Sequence, residues 1–141
     1  MARRDVYLEH LSSIPIFGPL SRRELEKVAR ASDELKIPAG RDLVTQGQVG
    51  REAFVLVEGS ATVRRNGRKV TTLGPGAAIG ELSLLDRGPR TATVTADGDC
   101  TVLVLGAREF AGLLDEVPSI ARKILAALAS EVRELDTKVY G

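Results

Sequence analysis

A chain of 141 residues with 20 Lys and Arg against 19 Asp and Glu carries a net charge of +1, too weak a field to draw DNA or an anionic membrane. Its single cysteine, Cys100, and single histidine, His10, remove a disulfide framework, a cysteine metal cluster and the histidine-rich metal site of a jelly-roll enzyme of the cupin kind. No apolar run approaches the ~20 residues that cross a bilayer, and M-A-R-R-D-V-Y-L-E-H lacks a signal peptide's apolar stretch, so a reduced, cytoplasmic chain is expected, with excision from a larger protein left open.

One domain, residues 1–141, suits this length. Its first part, 1–33, reads as helical: Tyr7, Leu8 and Leu11 share a face, and Pro15 breaks the run. Ser21 with Glu24 three residues later forms a capping box that opens a helix through Leu25, Val28 and Ala29. The basic pairs Arg3-Arg4, Arg22-Arg23 and Arg64-Arg65 read as solvated faces.

From 34 to 106 the texture changes to short Val, Leu, Thr and Ala runs, punctuated at Pro38-Ala39-Gly40, Gly47, Gly50, Gly59, Asn66-Gly67, Gly74-Pro75-Gly76 and Asp97-Gly98. Turns spaced roughly 8–12 residues apart predict an antiparallel sandwich or barrel. Asn66-Gly67, between T-V-R-R and R-K-V-T, is the clearest hairpin, a type I′ turn needing positive φ at both central residues. The glycines are explained as turn residues, and Gly80 alone is given a binding role as well. Asp97 and Asp99 flank a turn glycine, and Cys100, in the alternating run C-T-V-L-V-L, reads as a small core hydrophobe.

Residues 107–141 return to helix, with a short one from Arg108 to Leu114 and a longer one from Pro118 through Tyr140. Leu125, Leu128, Val132, Leu135 and Val139 are spaced 3, 4, 3 and 4 apart and form one seam. That seam has three readings: packing on the chain's own barrel, pairing with a second copy as a homodimer, or closing over a ligand as a lid.

The stretch from Gly80 to Val94, G-E-L-S-L-L-D-R-G-P-R-T-A-T-V, carries the chemistry. A Gly-Glu turn leads into a short helical turn, Glu81 to Leu85, and Pro89-Arg90 then enters a Thr/Ala/Val strand. Glu81 and Arg90 sit at opposite ends of one compact loop. A carboxylate accepts from a hydroxyl while a guanidinium matches two phosphate oxygens, which suits a sugar phosphate. The bland alternative is a Glu81–Arg90 ion pair on the surface.

This stretch resembles the phosphate-binding cassette of the cyclic nucleotide-binding domain family, which runs Gly-Glu-(Leu/Ile)-(Ala/Ser)-Leu, a spacer, then Pro-Arg-x-Ala. L-S-S-I-P-I-F-G-P-L-S-R-R-E-L and F-V-L-V-E-G-S-A-T-V, followed by L-G-P-G-A-A-I-G-E, resemble the same family, although Ile79 stands where many relatives carry an aromatic. The resemblance implies a mainly β fold, an antiparallel double-stranded β-helix (jelly roll, cupin-like barrel), with N-terminal helices, a cassette at 79–92 and a C-terminal helical lid. It implies Glu81 on the ribose 2′-hydroxyl and Arg90 on the cyclic phosphate. Gly80 would shape the turn, and the N–H groups of Leu82, Ser83 and Thr91 would surround the anion.

Thr91, directly after the arginine, is a hydroxyl found in some cGMP-preferring members, but strand propensity accounts for it equally and cAMP is favoured. The base cap is left open among Arg133, Leu128, Val132, Leu135 and Tyr140. The implied role is a sensor that signals by moving its C-terminal helix, with no catalysis, no cofactor beyond the ligand and no nucleic-acid or membrane partner. A ligand-free interaction module is one rival. A fragment of a cyclic-nucleotide-responsive transcription factor is another, although no helix-turn-helix follows Tyr140. An enzyme is the weakest reading, because the chain has no Ser/His/Asp set and no Walker or Rossmann glycine loop.

Overall fold

The computed structural model describes residues 3–140, with side chains described for 5–139. Helix α1 (Arg3–Ser12) gives way at a 3-10 turn, Pro15–Phe17, to α2 (Arg22–Ala31). The capping box is present in both directions: the Ser21 hydroxyl accepts from the Glu24 amide at 3.2 Å, and the Glu24 carboxylate accepts from the Ser21 amide at 2.8 Å. Leu8, Leu11, Leu25 and Val28 turn inward with Ile16 and Phe17.

Eight strands follow: β1 (Asp33–Ile37), β2 (Asp42–Val44), β3 (Glu52–Glu58), β4 (Ala61–Arg65), β5 (Arg68–Leu73), β6 (Ala78–Ile79), β7 (Thr93–Ala96) and β8 (Cys100–Gly106). They form two four-stranded antiparallel sheets, ordered β1-β8-β3-β6 and β2-β7-β4-β5. This is the expected jelly roll. Asn66 and Gly67 have φ of 54° and 78°, the two left-handed residues a type I′ turn requires.

Two apolar cores flank the first sheet. Phe54, Leu56, Cys100 and Val102 point between the sheets, while Ala53, Val55, Leu103 and Leu105 face the helices. Strands β3 and β8 are buried on both faces, which is why their sequences read as near-continuous apolar runs. In the helical core the rings of Phe17 and Phe110 pack 5.8 Å apart at 47°. Cys100 is buried, its thiol 3.3 Å from the carbonyls of Ser60 and Gly98, and burial pushes its pKa up, away from reactivity. Asp97 accepts from Ser60 and Thr62, and Asp99 accepts from the Ala39 amide, so both stitch turns together.

Helix α4 (Ala107–Glu116) starts one residue earlier and ends two later than its expected span, and α5 (Pro118–Tyr140) matches its expected limits. The seam on α5 corrects one expectation. Ile120 and Ile124 are the residues buried against the helical core, and Leu128 is half-buried there. Leu125, Val132, Leu135 and Val139 are exposed at 66%, 64%, 61% and 71%, so they do not pack on the barrel. The reason is rotational: Leu125 lies about 100° around the helix from Ile124, and its 3,4 repeat carries the stripe away from the core.

Candidate functional site

Strand β6 ends at the buried Ile79 and delivers Gly80 at φ +71°, a left-handed conformation that sends the chain sharply into the loop. The helical turn is α3 (Ser83–Asp86), which begins two residues later than expected. Arg87 closes it at φ 53°, and the Gly88 amide donates to the Asp86 carboxylate at 2.9 Å, turning the chain back toward Pro89-Arg90. That returning arm is zipped to residues 47–50. The Arg90 amide donates to the Gln48 carbonyl at 2.8 Å, Gly47 to the Arg90 carbonyl at 2.9 Å, and Gly50 to the Gly88 carbonyl at 3.1 Å.

All six residues expected at the site, Gly80, Glu81, Leu82, Ser83, Arg90 and Thr91, line one cavity of about 630 Å³. Small-ligand sites run about 300–1,000 Å³. Arg90 is half-buried: one terminal amine donates to the Ser83 hydroxyl at 3.0 Å and the other to the Glu52 carbonyl at 2.7 Å. Burial lowers its pKa while the Glu52 carboxylate works the other way. A guanidinium starts so far above neutrality that it remains a cation. Arg90 and Glu81 make no ion pair with each other among the described residues, so the two charges stay separate on one wall.

One expectation changes here. The Ser83 amide donates to the Gly80 carbonyl at 3.1 Å, closing the turn, so Ser83 faces Arg90 through its hydroxyl and its N–H is occupied. No described residue of α5, Leu128, Arg133, Val132 and Leu135 included, is part of the cavity lining, and the Tyr140 side chain lies outside the described residues.

Sequence reasoning missed three contributors. Gly50 is more than a turn residue: a Cβ there would stand 2.2 Å from the Ser83 hydroxyl and 2.9 Å from the Arg90 guanidinium carbon. At Gly80 a Cβ would stand 2.2 Å from an Arg90 amine. Two glycines thus make room for one guanidinium. Glu52 contributes a backbone carbonyl, which no side-chain pattern announces. Arg65, read as part of a solvated pair, lines the cavity and donates from Nε to the Thr91 carbonyl at 3.1 Å. A cation bonded to a hydroxyl, a carboxylate on the same cavity and apolar lining at Val63 and Leu73 suit a ligand that combines an anion, a hydroxyl and a flat apolar part.

Residues 34–117 match the family model described as cyclic nucleotide-binding domain. The chain is 35% identical over 136 residues to a cAMP-dependent protein kinase regulatory subunit of Neurospora crassa, covering 95% of this chain and 35% of that protein's length. The N-terminal domain of a transcriptional regulator from Streptomyces coelicolor superposes with a TM-score of 0.85 at 29% identity, over 94% of this chain and 96% of that one. The catabolite activator protein of Thermus thermophilus superposes with a TM-score of 0.70 at 30% identity, over 89% of this chain and 61% of that one. Since the matched span from Glu34 to Val117 encloses the whole loop that carries Glu81 and Arg90, the chain belongs to the cyclic nucleotide-binding domain family.

Proposed function

We propose that the cavity binds a cyclic nucleotide, cAMP in preference to cGMP, and that occupancy is signalled through α5. The observation that carries this reading is the placement of Glu81 and Arg90 on one cavity of about 630 Å³, with the guanidinium already positioned by Ser83 and Glu52. Glu81 accepts from the ribose hydroxyl. Arg90 meets the cyclic phosphate, exchanging neutral acceptors for an anionic pair. Hydrogen bonds to a charged group are worth about 1.5–3 kcal/mol each, and the two-pronged contact is what overcomes the cost of desolvating the phosphate. The preference for cAMP is supported by relatives whose names declare cAMP dependence.

The role is regulatory and cytoplasmic, with no catalysis and no cofactor beyond the nucleotide. No helix among the described residues is long and apolar enough to cross a membrane. Signalling runs through contacts already in place: α3 packs on α4, and α4 on α5. When phosphate takes over the Arg90 amines, Ser83 on α3 loses its partner, and that difference between the empty and filled states is what shifts α5. The exposed stripe on α5 supports a second element of the reading, that two copies pair along Leu125, Val132, Leu135 and Val139.

Calorimetric titration with cAMP and cGMP tests the binding. The unmodified chain is expected to bind, and Arg90→Ala to weaken binding by about two orders of magnitude or more while the melting temperature holds. Near-unchanged affinity in the variant removes Arg90 from its role. No binding to the unmodified chain overturns the reading.

A further inference from the structure

We infer that Arg65 is a base-reading residue of this site, and that it sets how strongly a guanine nucleotide competes with an adenine one. The inference rests on the proposed binding of a cyclic nucleotide in the cavity.

Arg65 ends β4, and it lines the cavity together with Val63 two residues earlier. Its Nε donates to the Thr91 carbonyl at 3.1 Å, which holds the guanidinium plane at the cavity mouth. Its terminal amines have no partner among the described residues, and no carboxylate there lies within ion-pair distance. The tip that carries it is held as well. Gln46 donates to the Asn66 side-chain oxygen at 2.8 Å and accepts from the Asn66 amide at 2.8 Å, while the Gln46 amide donates to the Thr93 hydroxyl at 2.9 Å. This clasp joins the β4–β5 turn to the strand that follows the cassette.

The charges at that tip oppose one another. Arg65 lies across the strand pair from Arg68, and Arg64 across from Lys69. Like charges directly opposite each other destabilise a hairpin. A cation kept there, tethered at one edge and open at the other, is placed to meet acceptors from the cavity.

With the phosphate at Arg90 and the ribose at Glu81, the apolar Val63 and Leu73 are lining left for the base, and Arg65 is the second cation on the same cavity. The two free amines at the end of a guanidinium match two adjacent acceptors, as guanine presents at N7 and O6. Adenine offers N7 beside an amino donor, so one contact is replaced by donor facing donor. Arg65 therefore strengthens cGMP binding and leaves cAMP binding nearly as it is, which narrows the preference for cAMP.

The test is titration of the unmodified chain, Arg65→Gln and Arg65→Lys with cAMP and with cGMP, each variant's melting temperature being checked alongside. Arg65→Gln is expected to lower cGMP affinity about tenfold or more and cAMP affinity less than about threefold, raising the ratio between them. Arg65→Lys keeps the charge, loses the fork and is expected to follow the glutamine variant. Equal weakening of both nucleotides, as a merely structural or purely electrostatic Arg65 would give, or an unchanged ratio, overturns this inference and leaves the binding reading standing. If the unmodified chain binds neither nucleotide, the reading beneath it falls as well.

Discussion

Arg90 reaches its position because nothing larger than hydrogen stands at residues 50 and 80. The two glycines differ in kind. Gly80 needs its left-handed φ of +71° as well as the space, whereas Gly50 is required by proximity alone. A Cβ at 50 meets Ser83 Cβ at 2.7 Å as well as its hydroxyl, and Ser83 is buried on α3, so it has little room to yield. Gly50→Ala is therefore expected to weaken nucleotide binding about tenfold and to lower stability by about 1–3 kcal/mol, read by calorimetry and by urea unfolding. Wild-type affinity in that variant would show that the cradle tolerates a methyl group. Gly80 was legible because it belongs to a contiguous motif with Glu81. Gly50 was not, because its partner lies forty positions on and only the pairing of residues 47–50 with the Pro89-Arg90 arm brings them together.

The joint between α2 and α5 turns on one buried carboxylate. Glu24 accepts from Lys123 at 2.6 Å, from Ser119 at 2.5 Å and from the Ser21 amide at 2.8 Å. Burial by itself raises its pKa, but the donors from Lys123, Ser119 and Ser21 outweigh that and hold it at about 2. A carboxyl depressed in the folded state contributes stability above its ordinary value of about 4.5 and loses that contribution as pH falls toward 2. Glu24→Gln is expected to cost about 1–3 kcal/mol at pH 7, with the gap to the unmodified chain shrinking between pH 5 and pH 3. Urea unfolding across that range measures it, and a gap independent of pH would mean that the carboxylate's charge contributes nothing. The Ser-x-x-Glu spacing disclosed the cap on α2. The second duty of Glu24 stayed hidden because Ser119 and Lys123 are 95 and 99 residues away.

Across the whole molecule, α5 is the element with most left to bury. Its first two turns are fastened by Ile120, Ile124 and the Glu24 cluster, while Leu125, Val132, Leu135 and Val139 face outward. Pairing of two copies would remove that apolar surface from water, and a nucleotide-driven shift would change how it is presented. Hydrogen exchange over 118–140, followed at low and high protein concentration with and without saturating cAMP, separates the two. Pairing predicts exchange about tenfold or more slower at high concentration, and repositioning predicts a further change with nucleotide at either concentration. Exchange indifferent to both would leave α5 with neither role.

The amino-acid sequence by itself determined the capped start of α2, the span of α5, the Asn66-Gly67 hairpin and the residues of the 79–92 loop, because each rests on chemistry within a few positions of chain: caps, positive-φ turns and one continuous motif. Only the tertiary structure decided that Gly50 makes room for Arg90, that Arg65 faces the cavity when its neighbour does not line it, that Glu24 ties two helices together, and that the α5 stripe is left uncovered. Those four depend on which distant strands pair and which way a helix is rotated. Sheet register and helix rotation are set by packing over the entire core, which no local pattern encodes.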